Sequence, residues 1–126
     1  MKVQLEKTGL GDLHIIKLRI NGEFHHFLID TGAEKTMLSP ELAKDNPVKD
    51  KMISAGVGGF TMHNIVGVNF NLLGVGVNNV GVDPKLFKYM TESAGVKISG
   101  LIAQDVLNKF KSYTIDNEKG TIEFNL

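Results

Sequence analysis

The stretch that most constrains this chain is Phe27-Leu28-Ile29-Asp30-Thr31-Gly32-Ala33. Three apolar residues of strand character lead directly into an acid, a hydroxyl and a glycine, so the strand delivers Asp30 to its end. Thr31 can hydrogen-bond to the backbone and lock the turn. Gly32 lets the backbone pass close to the carboxylate, which a Cβ would obstruct. The pattern predicts a carboxylate held at the floor of a cleft, although a strand ending in a solvated Asp turn can carry the same tripeptide.

A second segment predicts a β-hairpin with a glycine-rich tip. Its sequence is Lys51-Met52-Ile53-Ser54-Ala55-Gly56-Val57-Gly58-Gly59-Phe60, with three glycines around one valine. A phosphate-binding loop would need a Lys-Ser/Thr pair and a helix after the glycines, and this segment has neither. The tip therefore predicts a mobile hairpin that carries one apolar side chain.

Most of the remaining chain also predicts strands. Asn21-Gly22 is a type I′ turn signal between strands at 13–20 and 23–29. The apolar alternation slips by one residue at Ile15-Ile16, which predicts a β-bulge. Further strands are predicted at 66–72, 74–82, 113–115 and 121–124, and short helices at 40–43, 84–89 and 103–111. The fold class is therefore all-β, that is, mainly β with a few short helices.

Composition narrows the classes of function. The chain has 126 residues, which predicts one domain over 1–126, and its formal net charge of zero does not predict binding to nucleic acid or to an anionic membrane. No apolar run reaches a transmembrane length or forms a signal-peptide core, so we expect a soluble protein. The lack of cysteine excludes disulfides and thiolate sites and fits the cytosol. The histidines lack ligand spacing, so no metal or cofactor is predicted.

A third motif completes a resemblance to a known family. Gly100-Leu101-Ile102-Ala103-Gln104-Asp105-Val106-Leu107 has an apolar pair, a small residue and then a helix. Together with the extended first motif, Asp30 to Leu38, and the glycine-rich hairpin, it resembles the retropepsins, the dimeric aspartic proteases of retroviruses and their cellular relatives. The three motifs occur in the family's order. The resemblance implies a retropepsin-like barrel with one half-site per chain.

The chemistry of peptide hydrolysis by carboxylates explains why a half-site needs a second chain. One ionised carboxylate accepts a proton from water while a second, protonated carboxylate polarises the scissile carbonyl. This chain supplies a single Asp-Thr-Gly, so a twofold axis would bring the second Asp30. We therefore expect a homodimeric aspartic endopeptidase. Its predicted catalytic set is Asp30, Thr31, which would brace the pair across the axis, and Gly32, whose amide would donate toward the carboxylate.

The resemblance also implies substrate-binding roles. Gly32, Ala33 and Glu34 would line the cleft and bind the substrate backbone. A flap at about 51–66 would close over the substrate through the backbone around Gly56 to Gly58. A peptide or protein segment of roughly six to eight residues would lie extended between flap and floor. The implied apolar subsites are Leu28, Met37, Ile53, Val57 and Leu101.

Several positions differ from the family pattern. Ala103 stands where the family usually has glycine, Glu34 is longer than usual, and Gln104 replaces an arginine that forms an ion pair in viral members. Ser54-Ala55 replaces glycines in the flap. These differences leave a second candidate open, a peptide-binding dimer on the same fold that is catalytically weak or inactive.

The C-terminal residues 121–126 alternate, with Ile122, Phe124 and Leu126 on one face. An open apolar edge tends to pair with another strand, and retropepsins pair their terminal strands across the twofold axis. We therefore expect this strand, with a contribution from residues 2–5, to join two chains. The alternative is that it pairs only within its own chain and that the dimer forms around the active loop and flap tips.

Overall fold

Strands form most of the chain, for which a computed structural model describes residues 1–7, 14–44, 46, 48–56 and 59–126. The side chains of residues 7, 49, 50, 52–56, 59–63 and 69 are outside this description. The described elements are β1 (Lys2–Gln4), β2 (Glu6–Lys7), β3 (His14–Ile20), β4 (Glu23–Ile29), β5 (Met37–Leu38), α1 (Pro40–Ala43), β6 (Val48–Gly56), β7 (Gly59–Leu72), β8 (Val75–Val82), α2 (Pro84–Ala94), β9 (Ile98–Ile102), α3 (Gln104–Leu107), β10 (Ser112–Asp116) and β11 (Thr121–Asn125). The mainly β class predicted from the sequence is confirmed.

These strands form two sheets. The larger has eight strands in the order β2-β3-β4-β9-β5-β8-β7-β6, and the smaller has the order β1-β11-β10. Most neighbours are antiparallel, but β4 pairs with β9 and β5 pairs with β8 in parallel. The parallel β4–β9 pair places the ends of both strands side by side, which brings the residues after Ile29 next to those after Ile102.

The β3–β4 hairpin delivers the first motif. Asn21 and Gly22 have φ values of 52° and 84°, the positive pair that a type I′ turn requires. The predicted bulge at Ile15-Ile16 is wrong, because the β3–β4 register runs without a shift along the hairpin. Both isoleucines are fully buried, on opposite faces of a sheet that is covered on both sides. A register shift does occur on the other edge of β4, where His26 pairs with Ile98 and Phe27 with Gly100, so the extra residue is Ser99 of β9.

Strand β9 is the buried centre of the larger sheet, and all five of its residues are buried. Its two faces contribute to different apolar clusters, with Ile102 in the larger cluster and Ile98 and Leu101 in the smaller. A strand covered on both faces reads as a continuous apolar run rather than as an alternation. The smaller cluster, which supports the end of β4, consists of Ile15, Leu28, Met37, Phe87, Met90, Ile98, Leu101 and Ala103.

Helix α2 covers β9 with one face. Asp83 caps its start by accepting hydrogen bonds from the amides of Lys85 (3.1 Å) and Leu86 (3.4 Å), as its position before Pro84 predicts. The helix runs five residues past the predicted end at Tyr89, because it stops only at Gly95, whose φ of 76° is a left-handed C-cap. Helix α3 is shorter than the predicted 103–111. No described helix has the length and apolar character needed to cross a membrane.

The C-terminal strand is not an open edge, which corrects the expectation above. Strand β11 lies between β1 and β10 of its own chain, so both of its edges are already hydrogen-bonded. Its inner face is also filled within the chain: Ile122 and Phe124 are buried, and the Phe124 ring packs 4.8 Å from that of Phe110 between centroids. Strand β11 therefore has a partner on each edge within its own chain. Whether the terminal strands also join two chains, for example through the outer edge of β1, stays a prediction, as does the alternative interface.

Candidate active site

The apolar strand β4 places Asp30 at the edge of the core. Phe27, Leu28 and Ile29 are buried, whereas Asp30 is half-buried and the next two residues are exposed. The amide of Asp30 donates to the carbonyl of Ile102 at 3.0 Å, which continues the β4–β9 pairing by one residue. The backbone of Asp30 is therefore held by the sheet while its side chain reaches the surface.

The loop folds back on the Asp30 carboxylate. The amide of Gly32 donates to Asp30 Oδ1 at 3.0 Å, the bond that the sequence predicts. The amide of Ala33 donates to the Asp30 carbonyl at 3.3 Å and closes a tight turn. One carboxylate oxygen is thereby oriented by the backbone, and this local arrangement needs only the residues of the motif.

The reason given for Gly32 is wrong within a single chain. A Cβ built at Gly32 would lie 3.5 Å from Asp30 Oδ1, an ordinary van der Waals distance. The packing of the described residues therefore leaves room for a side chain at this exposed position.

A short segment at the start of α3, residues 102–105, clamps the whole active loop, residues 30–36. Beyond the Ile102 contact, the amide of Gln104 donates to Ala33 O (2.9 Å) and that of Asp105 to Glu34 O (3.3 Å). The Gln104 side chain adds a bond from Nε2 to Thr31 O at 2.8 Å. Gln104, expected to lose the brace that an arginine gives, therefore forms a different brace, to the loop backbone.

The far end of the loop is anchored by Thr36, which is fully buried. Its amide (3.0 Å) and its hydroxyl (2.5 Å) both donate to Asp105 Oδ1. The hydroxyl also accepts from the amide of Ala103 at 3.1 Å. Sequence reasoning missed the contact between Thr36 and Asp105, although both residues lie inside the first and third motifs, because they are 69 positions apart.

The methyl group of Ala103 is accommodated without disturbing this clamp. Ala103 is fully buried and belongs to the smaller apolar cluster together with Leu28 and Leu101. Its backbone caps α3, with its carbonyl accepting from the amides of Val106 (3.1 Å) and Leu107 (3.0 Å). Alanine in place of glycine therefore fills core space here.

The predicted binding residues fall into separate groups. Ala33 is half-buried and Glu34 exposed, so both reach the surface beside Asp30. Leu28, Met37 and Leu101 are 2%, 6% and 5% exposed and pack under the active loop, so their assignment as subsites stays a prediction.

The predicted flap is an antiparallel hairpin of β6 and β7. Its register runs from Val48–Val66 to Gly56–Gly59, which places Ile53 opposite Met62. The tip residues Val57 and Gly58 lie outside the described residues. Flap closure and the binding roles of Ile53, Gly56, Val57 and Gly58 stay predictions.

A cavity lies elsewhere on the chain, between α1 and α2. Ser39, Phe87 and Ile98 line it, and Asp30 does not. Glu41 lies at the rim of this cavity. A hydrogen bond from its own backbone amide lowers the pKa of the Glu41 carboxyl, and burial opposes this shift. The Ser39 hydroxyl and the Lys97 charge make smaller contributions that also lower it. Among the described residues, no group of three His, Asp or Glu side chains is placed to hold a metal.

Comparison with known proteins agrees with this geometry. A family model described as aspartyl protease matches residues 16–106, a span that includes the Asp30 loop, the β6–β7 hairpin and the clamp at 102–105. None of the curated proteins matches the chain.

A solved structure has the same fold. It is the crystal structure of a retropepsin-like aspartic protease from Rickettsia conorii, which is 16% identical to this chain. The alignment covers 98% of this chain and 88% of the other, with a TM-score of 0.57. With the family model spanning more than half of its length, the chain belongs to the aspartyl protease family and has a retropepsin-like fold.

Proposed function

We propose that this chain is an aspartic endopeptidase that works as a homodimer, with Asp30 from each protomer on the two sides of one catalytic water. Its substrates would be extended segments of polypeptide held between the active loop and the β6–β7 flap. The observation that carries the proposal is the single Asp-Thr-Gly loop, with Asp30 half-buried and Thr31 and Gly32 exposed. A carboxylate presented this way can meet its symmetry mate.

The chemistry requires the second protomer. Two carboxylates close to one another share a proton, so one acts as the base that activates water and the other as the acid that polarises the scissile carbonyl. The cavity between α1 and α2 does not include Asp30, and we expect the cleft over this residue to be completed by another chain. The room beside Gly32 supports this, since a twofold axis would bring a second loop against it.

The contact between protomers is proposed to form around the active loop and the flap tips. Strand β11 already has a partner on each edge, which argues against a dimer built by pairing it with its copy. The exposed residues next to Asp30 are Thr31, Gly32, Glu34 and Gln104. Within the described part of the chain no bond to the Thr31 hydroxyl is seen, which suits a bond across the axis.

The test is digestion of a mixed peptide library at acidic pH, with and without a transition-state isostere inhibitor. We expect cleavage that the inhibitor blocks and that Asp30→Asn abolishes, because the variant cannot accept the proton from water. Asp116→Asn, at the end of β10, is the matched control and should keep full activity. Binding without turnover by the wild-type chain would favour the peptide-binding dimer, and wild-type activity in Asp30→Asn would refute the proposal.

A mixing experiment tests the shared site directly. When Asp30→Asn is re-equilibrated with an equal amount of wild type, about half of the wild-type chains end up in mixed dimers. If each site needs both Asp30 residues, the activity per wild-type chain falls to about half of its value before mixing. Unchanged activity would mean that each chain carries a complete site.

A further inference from the structure

The Asp105 carboxylate is hydrogen-bonded to the active loop through one of its oxygens. Oδ1 accepts hydrogen bonds from the amide of Thr36 (3.0 Å), the hydroxyl of Thr36 (2.5 Å) and the amide of Val106 (2.9 Å). Hydrogen bonds to an ionised acceptor are about twice as strong as neutral ones. Two of the three hold a residue that is 69 positions earlier in the sequence.

Thr36 depends on this acceptor because it has no access to solvent. It is 0% exposed, so an amide and a hydroxyl without Asp105 would be left unsatisfied in the interior. Its other polar atoms are also engaged, since its carbonyl accepts from Gly81 (2.9 Å) and its hydroxyl accepts from Ala103 (3.1 Å). Thr36 is the junction between the active loop, β8 and the start of α3.

The two ends of the active loop are therefore fixed on one short segment. Asp30 is held by the carbonyl of Ile102, and Thr36 is held by the carboxylate of Asp105. Between these anchors the loop is exposed or half-buried, and it carries the amide of Gly32 that orients Asp30 Oδ1. Releasing one anchor would let the loop change the direction in which that carboxylate points.

We propose that Asp105 is a positioning residue for Asp30, an inference that rests on the proposed function. Its carboxylate aligns the reacting group without touching substrate. Asparagine at 105 would place a carbonyl oxygen where Oδ1 lies and could accept hydrogen bonds from the same donors, whereas alanine could accept none. Valine at 36 keeps the shape of threonine but removes its hydroxyl.

Steady-state kinetics on the intact dimer test this assignment. For Asp105→Ala we expect kcat to fall by about ten- to a hundredfold with KM changed less than about threefold, because misplacement by about 1 Å has costs of this size. Thr36→Val should also lower kcat, whereas Asp105→Asn should keep most of the wild-type kcat. Asp116→Ala, which removes a carboxylate bonded to the amide of Lys119 outside the active loop, should lower stability without lowering kcat per folded dimer.

A readout independent of turnover keeps the inference separate from the proposed function. In amide NMR spectra, Asp105→Ala should shift the signals of Asp30, Gly32 and Ala33 and speed their hydrogen exchange, and Asp105→Asn should leave them near wild type. Wild-type signals at these three amides in Asp105→Ala would overturn the inference. So would equal losses of kcat in the asparagine and alanine variants. If the wild-type chain cleaves no peptide, the proposed function fails and the NMR result alone decides whether Asp105 aligns the loop.

Discussion

Gly100→Ala should strongly destabilise the sheet that carries Asp30. A Cβ built at Gly100 lies 2.1 Å from Cε2, 2.5 Å from Cδ2 and 2.7 Å from Cζ of Phe27. Carbon atoms pack at about 3.5–4.0 Å, so the ring or the strand would have to move by roughly 1.5 Å. Phe27 is 0% exposed and lies directly opposite Gly100 in the β4–β9 register, so its ring has no open space to enter.

The magnitude follows from the cost of overpacking. Extra methyl groups in a well-packed core cost about 1–3 kcal/mol, and overlap with three ring atoms places this substitution near the upper end, at about 3 kcal/mol. Domains of this size have a free energy of unfolding of about 5–15 kcal/mol. The loss corresponds to a decrease in melting temperature of about 10 °C.

Thermal and urea unfolding followed by far-UV circular dichroism measure this loss. Gly76→Ala is the matched control, because a Cβ at Gly76 meets nothing within 4 Å, and it should leave the melting temperature nearly unchanged. Adding Phe27→Leu should recover part of the loss in Gly100→Ala, since a smaller side chain removes the overlapping ring atoms. A melting temperature for Gly100→Ala within about 2 °C of that of Gly76→Ala would refute the packing argument.

The remaining predictions concern pH. Activity should follow a bell-shaped pH profile with both limbs below neutrality, because the shared site needs one proton on two carboxylates, and a single limb rising into alkaline pH would contradict the dyad. Glu41→Gln should lower the melting temperature slightly at pH 7 and have no effect near pH 2. The pKa of Glu41 is lowered in the folded chain, so its stabilisation exists above the unfolded pKa and is lost as pH falls through the folded value. The effect is small because Glu41 is exposed, and an equal decrease at both pH values would contradict this origin.

Local features of the fold follow from the sequence alone. Asn21-Gly22 predicts the tight turn of the β3–β4 hairpin, and Asp83-Pro84 predicts the start of α2. Asp30 at the end of an apolar run predicts a carboxylate at the edge of the core with the Gly32 amide bonded to it. In each case the hydrogen bonds or φ values that make the feature lie within a few residues, so the sequence contains all the interacting groups.

Features that depend on burial from both sides could not be predicted this way. Ile15-Ile16 looks like a bulge until the second face of β3 is covered by the cluster around α2. Likewise, β11 looks like an open edge until β1, at the other end of the chain, pairs with it. Alternation in sequence predicts which faces are apolar, but it does not contain the elements that cover them.

The candidate site shows the same difference between local and long-range interactions. The sequence by itself determined that Asp30 ends a strand and is followed by a turn that orients its carboxylate. Only the tertiary structure decided how that turn is held, because the parallel pairing of β4 with β9 brings residues 102–105 beside residues 30–36. Thr36 and Asp105 are 69 positions apart in the sequence and form a hydrogen bond there. That bond can form only when the strands between them have paired in the order that the sheet has.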